Sequence, residues 1–187
     1  MKQLDDYAVL TIPGRDGAGP DHWLSLWEQS YPGFVRVEQS NWAQPSYSAW
    51  ATKLSEHVTA ATKPVLLIAH SLGTSLTMRW AFDRPDLAAR VAGALLAAPT
   101  DRDVMEGKPD IPVQGFGPML LQALPFPALV LASQDDPMVS LARAQQFARA
   151  WGAEFLDVGA HGHLGSAARL GDWPLGRSAL EQLLARM

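Results

Sequence analysis

The stretch Val65-Leu66-Leu67-Ile68-Ala69-His70-Ser71-Leu72-Gly73 constrains the fold of this 187-residue chain more than any other. From Val65 to Ala69 it is apolar with no polar alternation, which is how a strand buried on both faces of a parallel sheet reads. From Ser71 the period changes: Leu72, Leu76 and Trp80 recur at four-residue steps, with Met78, Ala81 and Phe82 beside them. That spacing is helical. A strand that becomes a helix within about two residues leaves the turning residue in a cramped backbone conformation, its side chain at the top of the sheet. That residue is Ser71, so a hydroxyl is offered to whatever binds there.

The rest of the chain alternates in the same way. Apolar runs predict strands at residues 7–12, 34–38, 91–98, 128–133 and 155–158, the second nearer a sheet edge because apolar and charged residues alternate in it. Between them, Pro20 opens a helix that buries Trp23, Leu24 and Trp27. Ser46 caps one with the stripe Tyr47, Trp50, Leu54 and Val58. Ser140 caps another with Leu141, Ala144, Phe147 and Trp151 inward, and a last helix starts at about Leu175. Residues 100–127 break the pattern, with four acids, five prolines and three glycines; so long an excursion is expected to be functional or mobile and to overhang the pocket. The expected architecture is one α/β domain over residues 1–187, a three-layer αβα sandwich with a mainly parallel sheet of about six strands. In such sheets reactive groups lie in loops beyond the carboxyl ends of the strands.

Composition removes several classes of function. A net charge of −4 with scattered basic residues argues against a nucleic-acid or anionic-membrane partner. There are no cysteines, hence no disulfide, thiolate metal site or Cys nucleophile. The first residues carry two acids and no apolar core of a signal peptide, and no apolar run approaches the roughly 20 residues of a membrane helix. A cytoplasmic protein is expected. The loop from Pro13 to Gly19 has neither dinucleotide-binding nor P-loop spacing, and His161 and His163 have no further His or Cys cluster to complete a metal site. No cofactor and no metal are therefore expected.

Acyl transfer by a serine needs a base for the hydroxyl proton, an acid to hold that base, and donors for the oxyanion. Ser71 after the central strand, Asp136 after the fifth and His163 after the sixth supply such a set at one edge of the sheet. Asp136 is preferred to Asp135 because Ser133, Asp136 and Val139 fit a small-x-x-Asp-x-x-Val pattern and Pro137 biases Asp136 toward extended backbone. His163 follows Gly162 and precedes Leu164; His161 is its rival. The backbone N–H of Leu72, at a helix N-terminus, is the first oxyanion donor. Trp42 and Trp173 are the first candidates to wall an apolar acyl site, against the alternative that large aromatics mostly serve the core. Asp16 and His70 are placed at its margin, His70 inside the elbow reading more as a packing residue behind the site than as part of its lining.

The order Ser, Asp, His is that of α/β hydrolases. The chain resembles, over nearly its whole length, the small serine hydrolases typified by the retinoblastoma-binding serine hydrolase and the bacterial YdeN-like proteins. The resemblance is carried by Pro13-Gly14 with His22-Trp23, Asn41-Trp42 with Pro45 and Trp50, and the elbow at Ser71. It continues through Leu124-Pro125-Phe126-Pro127, Ser133-Gln134-Asp135-Asp136-Pro137, Gly162-His163 and Gly171-Asp172-Trp173-Pro174-Leu175-Gly176. It implies Ser71 as nucleophile, His163 as base, Asp136 as its orienter and no large cap domain. It also implies a second oxyanion donor in Pro13-Gly14-Arg15, the N–H of Arg15, with Asp16 as the fallback. Two departures are Ala69 for the usual first glycine of the elbow and Pro13 where a histidine is commoner. The expected function is hydrolysis of a small acyl substrate. A peptidase or acyltransferase would use the same residues, and a non-catalytic binding module is the rival. Oligomeric state is not legible.

Overall fold

In the computed structural model, which describes residues 3–105 and 112–187, the run from Val65 is the strand β3 (Val65–His70), with every residue buried. The other strands among the described residues are β1 (Ala8–Ile12), β2 (Phe34–Arg36), β4 (Val91–Ala97), β5 (Ala128–Ala132) and β6 (Glu154–Asp157). They form one sheet in the order β2-β1-β3-β4-β5-β6, every pairing parallel. β2 and β6 are the edges, and both are short. β2 stops at Arg36, two residues before the position expected from its alternation, because it has a partner on one side only.

Strand periodicity sends alternate side chains to opposite faces, and this chain buries both. Leu10, Ile12, Val65, Leu67, Ala69, Ala94, Leu96, Val130 and Ala132 share a core with α2 (Tyr47–Ala60), α3 (Leu72–Asp83), the single turn α4 (Pro85–Ala88) and α6 (Leu141–Trp151). Val9, Leu66, Ile68, Leu95, Ala97, Leu129 and Leu131 face α1 (Trp23–Ser30) and α7 (Pro174–Leu184). The sheet therefore has helices on each side. Arg84-Pro85-Asp86, which reads as a stop, ends α3 and starts the extra turn, since Pro is tolerated in a first turn. Likewise α1 starts after His22 rather than at Pro20, with His22 as its cap.

Residues 100–127 are partly ordered by burial instead of periodicity. After the short α5 (Arg102–Met105), the side chains of Val113, Phe116, Met119, Leu124 and Phe126 enter the α2/α3/α6 core. The part of the predicted excursion at residues 106–111 lies outside the described residues. No helix among the described residues is long and apolar enough to cross a membrane.

Since β2 and β3 lie on opposite sides of β1, the chain's winding reverses between β1 and β3, and the carboxyl ends of these two strands open a crevice. The first turn of α3 is pressed onto that end of β1. A Cβ on Gly73 would stand 2.2 Å from the Ile12 carbonyl oxygen and 2.9 Å from that of Pro13. Backbone atoms give way only if the strand and helix part. We expect Gly73→Ala to cost about 2 kcal/mol or more, at the upper end of overpacking penalties, read as a lowered urea midpoint with unchanged slope; a midpoint equal to wild type would refute the close approach.

Candidate active site

Ser71 is the N-cap of α3 and has φ 56° and ψ −125°, a conformation that non-glycine residues rarely adopt. Its backbone holds it there. The Ser71 N–H continues the β3–β4 ladder to the Ala97 carbonyl at 3.0 Å, and its own carbonyl accepts from the N–H and hydroxyl of Thr74 at 2.9 and 2.7 Å. Gly14 lies against the serine so closely that a Cβ there would be 2.6 Å from the Ser71 Cβ. Two glycines thus let the first loop, the serine and the helix meet.

The loops after β5 and β6 bring two more side chains to this hydroxyl. The Nε2 of His163 is 2.7 Å from Ser71 Oγ, and its Nδ1 is 2.8 Å from each carboxylate oxygen of Asp136. A carboxylate only accepts, so Nδ1 carries the proton and Nε2 is left to accept from the serine hydroxyl. The Asp136 side chain is fully buried behind the ring, and its Oδ1 also accepts the Met138 N–H at 2.8 Å. Such a line can take a proton from a serine as it attacks and return it to a leaving group.

Asp135 does something else. Its Oδ1 accepts the Ser133 hydroxyl at 2.8 Å and the Gly162 N–H at 2.7 Å, while Ser133 Oγ accepts the His161 N–H at 2.8 Å. The bond from Ser133, followed by that from Gly162, holds this carboxyl below its usual range. The neighbour of Asp136 therefore ties the histidine loop to the aspartate loop. His161 enters this tie through its backbone, and its side chain is not part of the hydrogen-bond line.

On the α1 side, two successive carbonyls of the histidine loop are held from below. His70 Nε2 donates to the His163 carbonyl at 2.8 Å, and Trp23 Nε1 donates to that of Leu164 at 2.9 Å, Leu164 itself having φ 51°. The ring of His22 packs edge-on against His70, with centroids 4.8 Å apart. Its Nδ1 accepts the Leu24 N–H, which puts the proton of the neutral ring on the buried Nε2. Burial, then the charges of Arg36 and His163, pushes the pKa of His22 down to about 4. Burial also holds His70 well below its ordinary value.

A cavity of about 190 Å³ opens at the serine, lined by Arg15, Asp16, Ser71, Leu72, Thr100, Arg102, Val113, Met138 and His163. Arg15, Asp16 and Leu72 are thus at the expected place. Leu72 is the first residue of α3, and the N–H groups of a first turn have no acceptor within their own helix. Asp16 does not serve as the fallback oxyanion donor, because its N–H is given to the Trp42 carbonyl at 2.9 Å.

Three expected lining residues lie elsewhere. His70 follows Leu66 and Ile68 onto the α1/α7 face, opposite Ala69. Trp173 is buried in that same core against Trp23 and Trp27. Its φ of 47° turns the ring back over α7, where a Cβ on Gly176 would be 2.3 Å from it. Trp42 backs the Arg15–Asp16 loop, its ring 3.5 Å from the Cβ position of Gly17 and edge-on to Trp50. Conversely, Thr100, Arg102, Val113 and Met138 were not singled out by sequence. Thr100, whose Oγ1 is 3.3 Å from Ser71 Oγ, and Met138 follow strand ends, so the strand-end rule that found the other residues extends to them. Val113 and Arg102 come from the segment without periodicity. No group of three or more His, Asp or Glu among the described residues is placed to hold a metal ion.

A family model described as serine hydrolase matches residues 9–182. Among solved structures, the chain is similar to a YdeN-like hydrolase from Pectobacterium atrosepticum. The two are 29% identical with a TM-score of 0.85, over 97% of this chain and 92% of that one. It is also similar to the YdeN gene product of B. subtilis, with 18% identity and a TM-score of 0.75 over 96% and 99% of the chains. A carboxylesterase from Bacillus cereus follows with 16% identity and a TM-score of 0.59, over 100% and 91%. These last two likenesses establish the fold alone: an α/β-hydrolase sheet of six parallel strands with no large cap domain among the described residues. No curated protein matches the sequence.

The two depressed histidines make stability depend on acid. Both are neutral when folded near pH 7, but unfolded they take up protons near pH 6.5, so the unfolded state binds more protons as the pH falls. Stability is full above about pH 7 and declines below pH 6.5, by roughly 3 kcal/mol for His22 alone by the time pH reaches its folded pKa of about 4. His22→Asn keeps a capping acceptor and removes the titration. Its denaturation midpoint should fall less than that of wild type between pH 7 and 5; parallel declines would show that His22 is not responsible.

Proposed function

The chain belongs to the serine hydrolase family, and on that footing we propose that it cleaves a small carboxylic ester, thioester or amide through an acyl-enzyme on Ser71. One observation carries the reading: the unbroken line Asp136–His163–Ser71, with contacts of 2.8 and 2.7 Å, ends at the wall of a 190 Å³ cavity.

As Ser71 Oγ attacks the carbonyl carbon, its proton passes to His163 Nε2, and the buried Asp136 carboxylate steadies the imidazolium that forms. The oxyanion accepts from the N–H of Leu72, at the positive end of α3, and from that of Arg15 in the loop packed on the serine. Collapse expels the alcohol, thiol or amine, which takes the proton from His163. Water then attacks the acyl-enzyme with His163 again as base, releasing the acid and restoring the serine. The strained backbone at Ser71 presents the hydroxyl to substrate in a fixed pose, so little ordering remains for the transition state.

The arrangement favours catalysis over the binding-module reading. A module has no use for a histidine hydrogen-bonded on one nitrogen to a buried carboxylate and on the other to a strained serine. Esters and thioesters suit such a site better than amides, since an alcohol or thiol leaving group needs less assistance from His163 than an amine does.

Two experiments test this. Wild-type protein should be labelled covalently by a neutral fluorophosphonate, and Ser71→Ala should abolish both labelling and the hydrolysis of short p-nitrophenyl esters; equal labelling of the two proteins would overturn the proposal. The two aspartates should also separate. Asp136→Asn should lower kcat by a factor on the order of 10⁴, as expected when the base loses its orienting carboxylate, whereas Asp135→Ala, which loosens a loop, should lower it about tenfold with KM within about twofold. The reverse ranking would reassign the acid of the triad.

A further inference from the structure

Two hydroxyls meet beyond the end of β3, and the line from Asp136 through His163 uses one of them. The other belongs to Thr100, which lines the cavity, is 2% exposed and has its Oγ1 3.3 Å from Ser71 Oγ. Among the described residues, Ser71 is the hydrogen-bond partner of that hydroxyl. The direction of the bond follows from the histidine. His163 Nδ1 donates its proton to Asp136, so Nε2 has only a lone pair, and Ser71 must donate its single proton there. Thr100 is therefore the donor and Ser71 Oγ the acceptor. A serine hydroxyl has two lone pairs. With its proton aimed at His163 and one lone pair at Thr100, the second lone pair is left to attack.

The chain holds Thr100 firmly in this place. The Ala98 N–H carries the β4–β5 ladder one step past β4, donating to the Leu131 carbonyl at 2.8 Å, and Ala98 then turns with φ 49°. It is fully buried and is not glycine, so its left-handed backbone, like that of Ser71, persists because its surroundings fix it. Beyond Thr100, the Asp101 N–H donates to the Met138 carbonyl at 3.1 Å, and the Ser75 hydroxyl donates to the Thr100 carbonyl at 3.5 Å. Since β3 lies between β1 and β4, this segment reaches Ser71 from one side and the loop holding Gly14 and Arg15 reaches it from the other. The Thr100 hydroxyl thus meets the nucleophile without competing for the oxyanion.

We propose that Thr100 is a further catalytic residue: its hydroxyl holds Ser71 Oγ in the attacking rotamer and acts in the formation of the acyl-enzyme, not in its hydrolysis. The inference rests on Ser71 being the nucleophile. At 3.3 Å the contact is longer than the roughly 2.5–3.0 Å of an ordinary O–H···O bond, so it is weak in the resting enzyme. As His163 draws the serine proton away, Oγ gains negative charge, and the same bond strengthens as bonds to ionised acceptors do. That stabilisation is realised on the way to the transition state rather than before it. The bond from Oγ to the carbonyl carbon forms, the serine proton passes to His163 Nε2, and the Thr100 proton stays on Thr100. Once Oγ is an ester oxygen, the acyl bond itself fixes it and the attacking species is water. Thr100 then has no further part.

Thr100→Val keeps the shape of the side chain and removes the hydroxyl; Thr100→Ser restores the hydroxyl without the methyl. The second-order rate of Ser71 labelling by a neutral fluorophosphonate should fall about tenfold in Thr100→Val, the loss expected for one hydrogen bond of this kind. In Thr100→Ser it should return to within about threefold of wild type. Deacylation should not follow. After carbamoylation with p-nitrophenyl dimethylcarbamate, esterase activity should reappear in Thr100→Val at a rate within about twofold of wild type, a split between steps that a merely structural role would not produce. Thr100→Ala, which removes the same hydroxyl, takes the place of Thr100→Val if the latter does not fold.

A fall in labelling smaller than about threefold in Thr100→Val, an equal fall in Thr100→Ser, or an equal fall in decarbamoylation overturns the assignment of Thr100. The labelling of wild type leaves the hydrolase reading standing in each of those cases. Absence of labelling in wild type removes the reading on which the inference rests.

Discussion

The strained turn at Ser71 is the constraint on which the rest of the molecule depends. A residue with φ 56° and ψ −125° costs of order 1–3 kcal/mol and persists only when its surroundings leave it no alternative. Here they act from three directions. The β4 ladder takes its N–H, Thr74 takes its carbonyl, and the end of β1 presses on Gly73. Gly14 brings the first loop against the serine itself. Relaxing the turn would break a ladder bond of the central sheet and separate α3 from β1, so the strain is supported by the hydrophobic burial of both cores.

The histidine has less regular structure to rely on. Its loop follows β6, a short edge strand, and is fastened by contacts from distant parts of the chain. His70 comes from β3, Trp23 from α1, and Ser133 and Asp135 from the loop after β5. Each fastening is a hydrogen bond to backbone, which sets where the loop runs while leaving the imidazole to Asp136 and Ser71. His70, and the His22 ring packed against it, stay in place as neutral rings. That makes the site's foundation sensitive to acid, because burial opposes the protonation of either ring.

Much of this was legible in the sequence, for identifiable reasons. β3 shows as an unbroken apolar run because it is covered on both faces, and its abrupt change to helical period marks the serine. Asp136 and His163 were found because parallel sheets concentrate loops at the carboxyl ends of strands. Edges were harder to delimit: β2 is short and paired on one side only, and its alternation of apolar and charged residues continues past the end of the strand at Arg36. Trp173 misled because a large aromatic in a glycine- and proline-rich loop has no local signal of direction, and only its left-handed backbone turns it into the α1/α7 core. For His70 the packing role is the one the structure shows, and alternation within β3 agrees with it, since it shares parity with Leu66 and Ile68.

By itself, then, the sequence determined the layers, the strand that precedes the nucleophile, and the order of serine, aspartate and histidine, because these follow from hydrophobic period and from turn chemistry confined to a few residues. The tertiary structure alone decided what the neighbouring Asp135 holds, which carbonyls His70 and Trp23 hold, and that Arg102 is buried beside the serine. Those outcomes depend on loops brought together across sequence separations of 27 to 141 residues. No local pattern records such distances; they are set by the packing of two cores against one sheet.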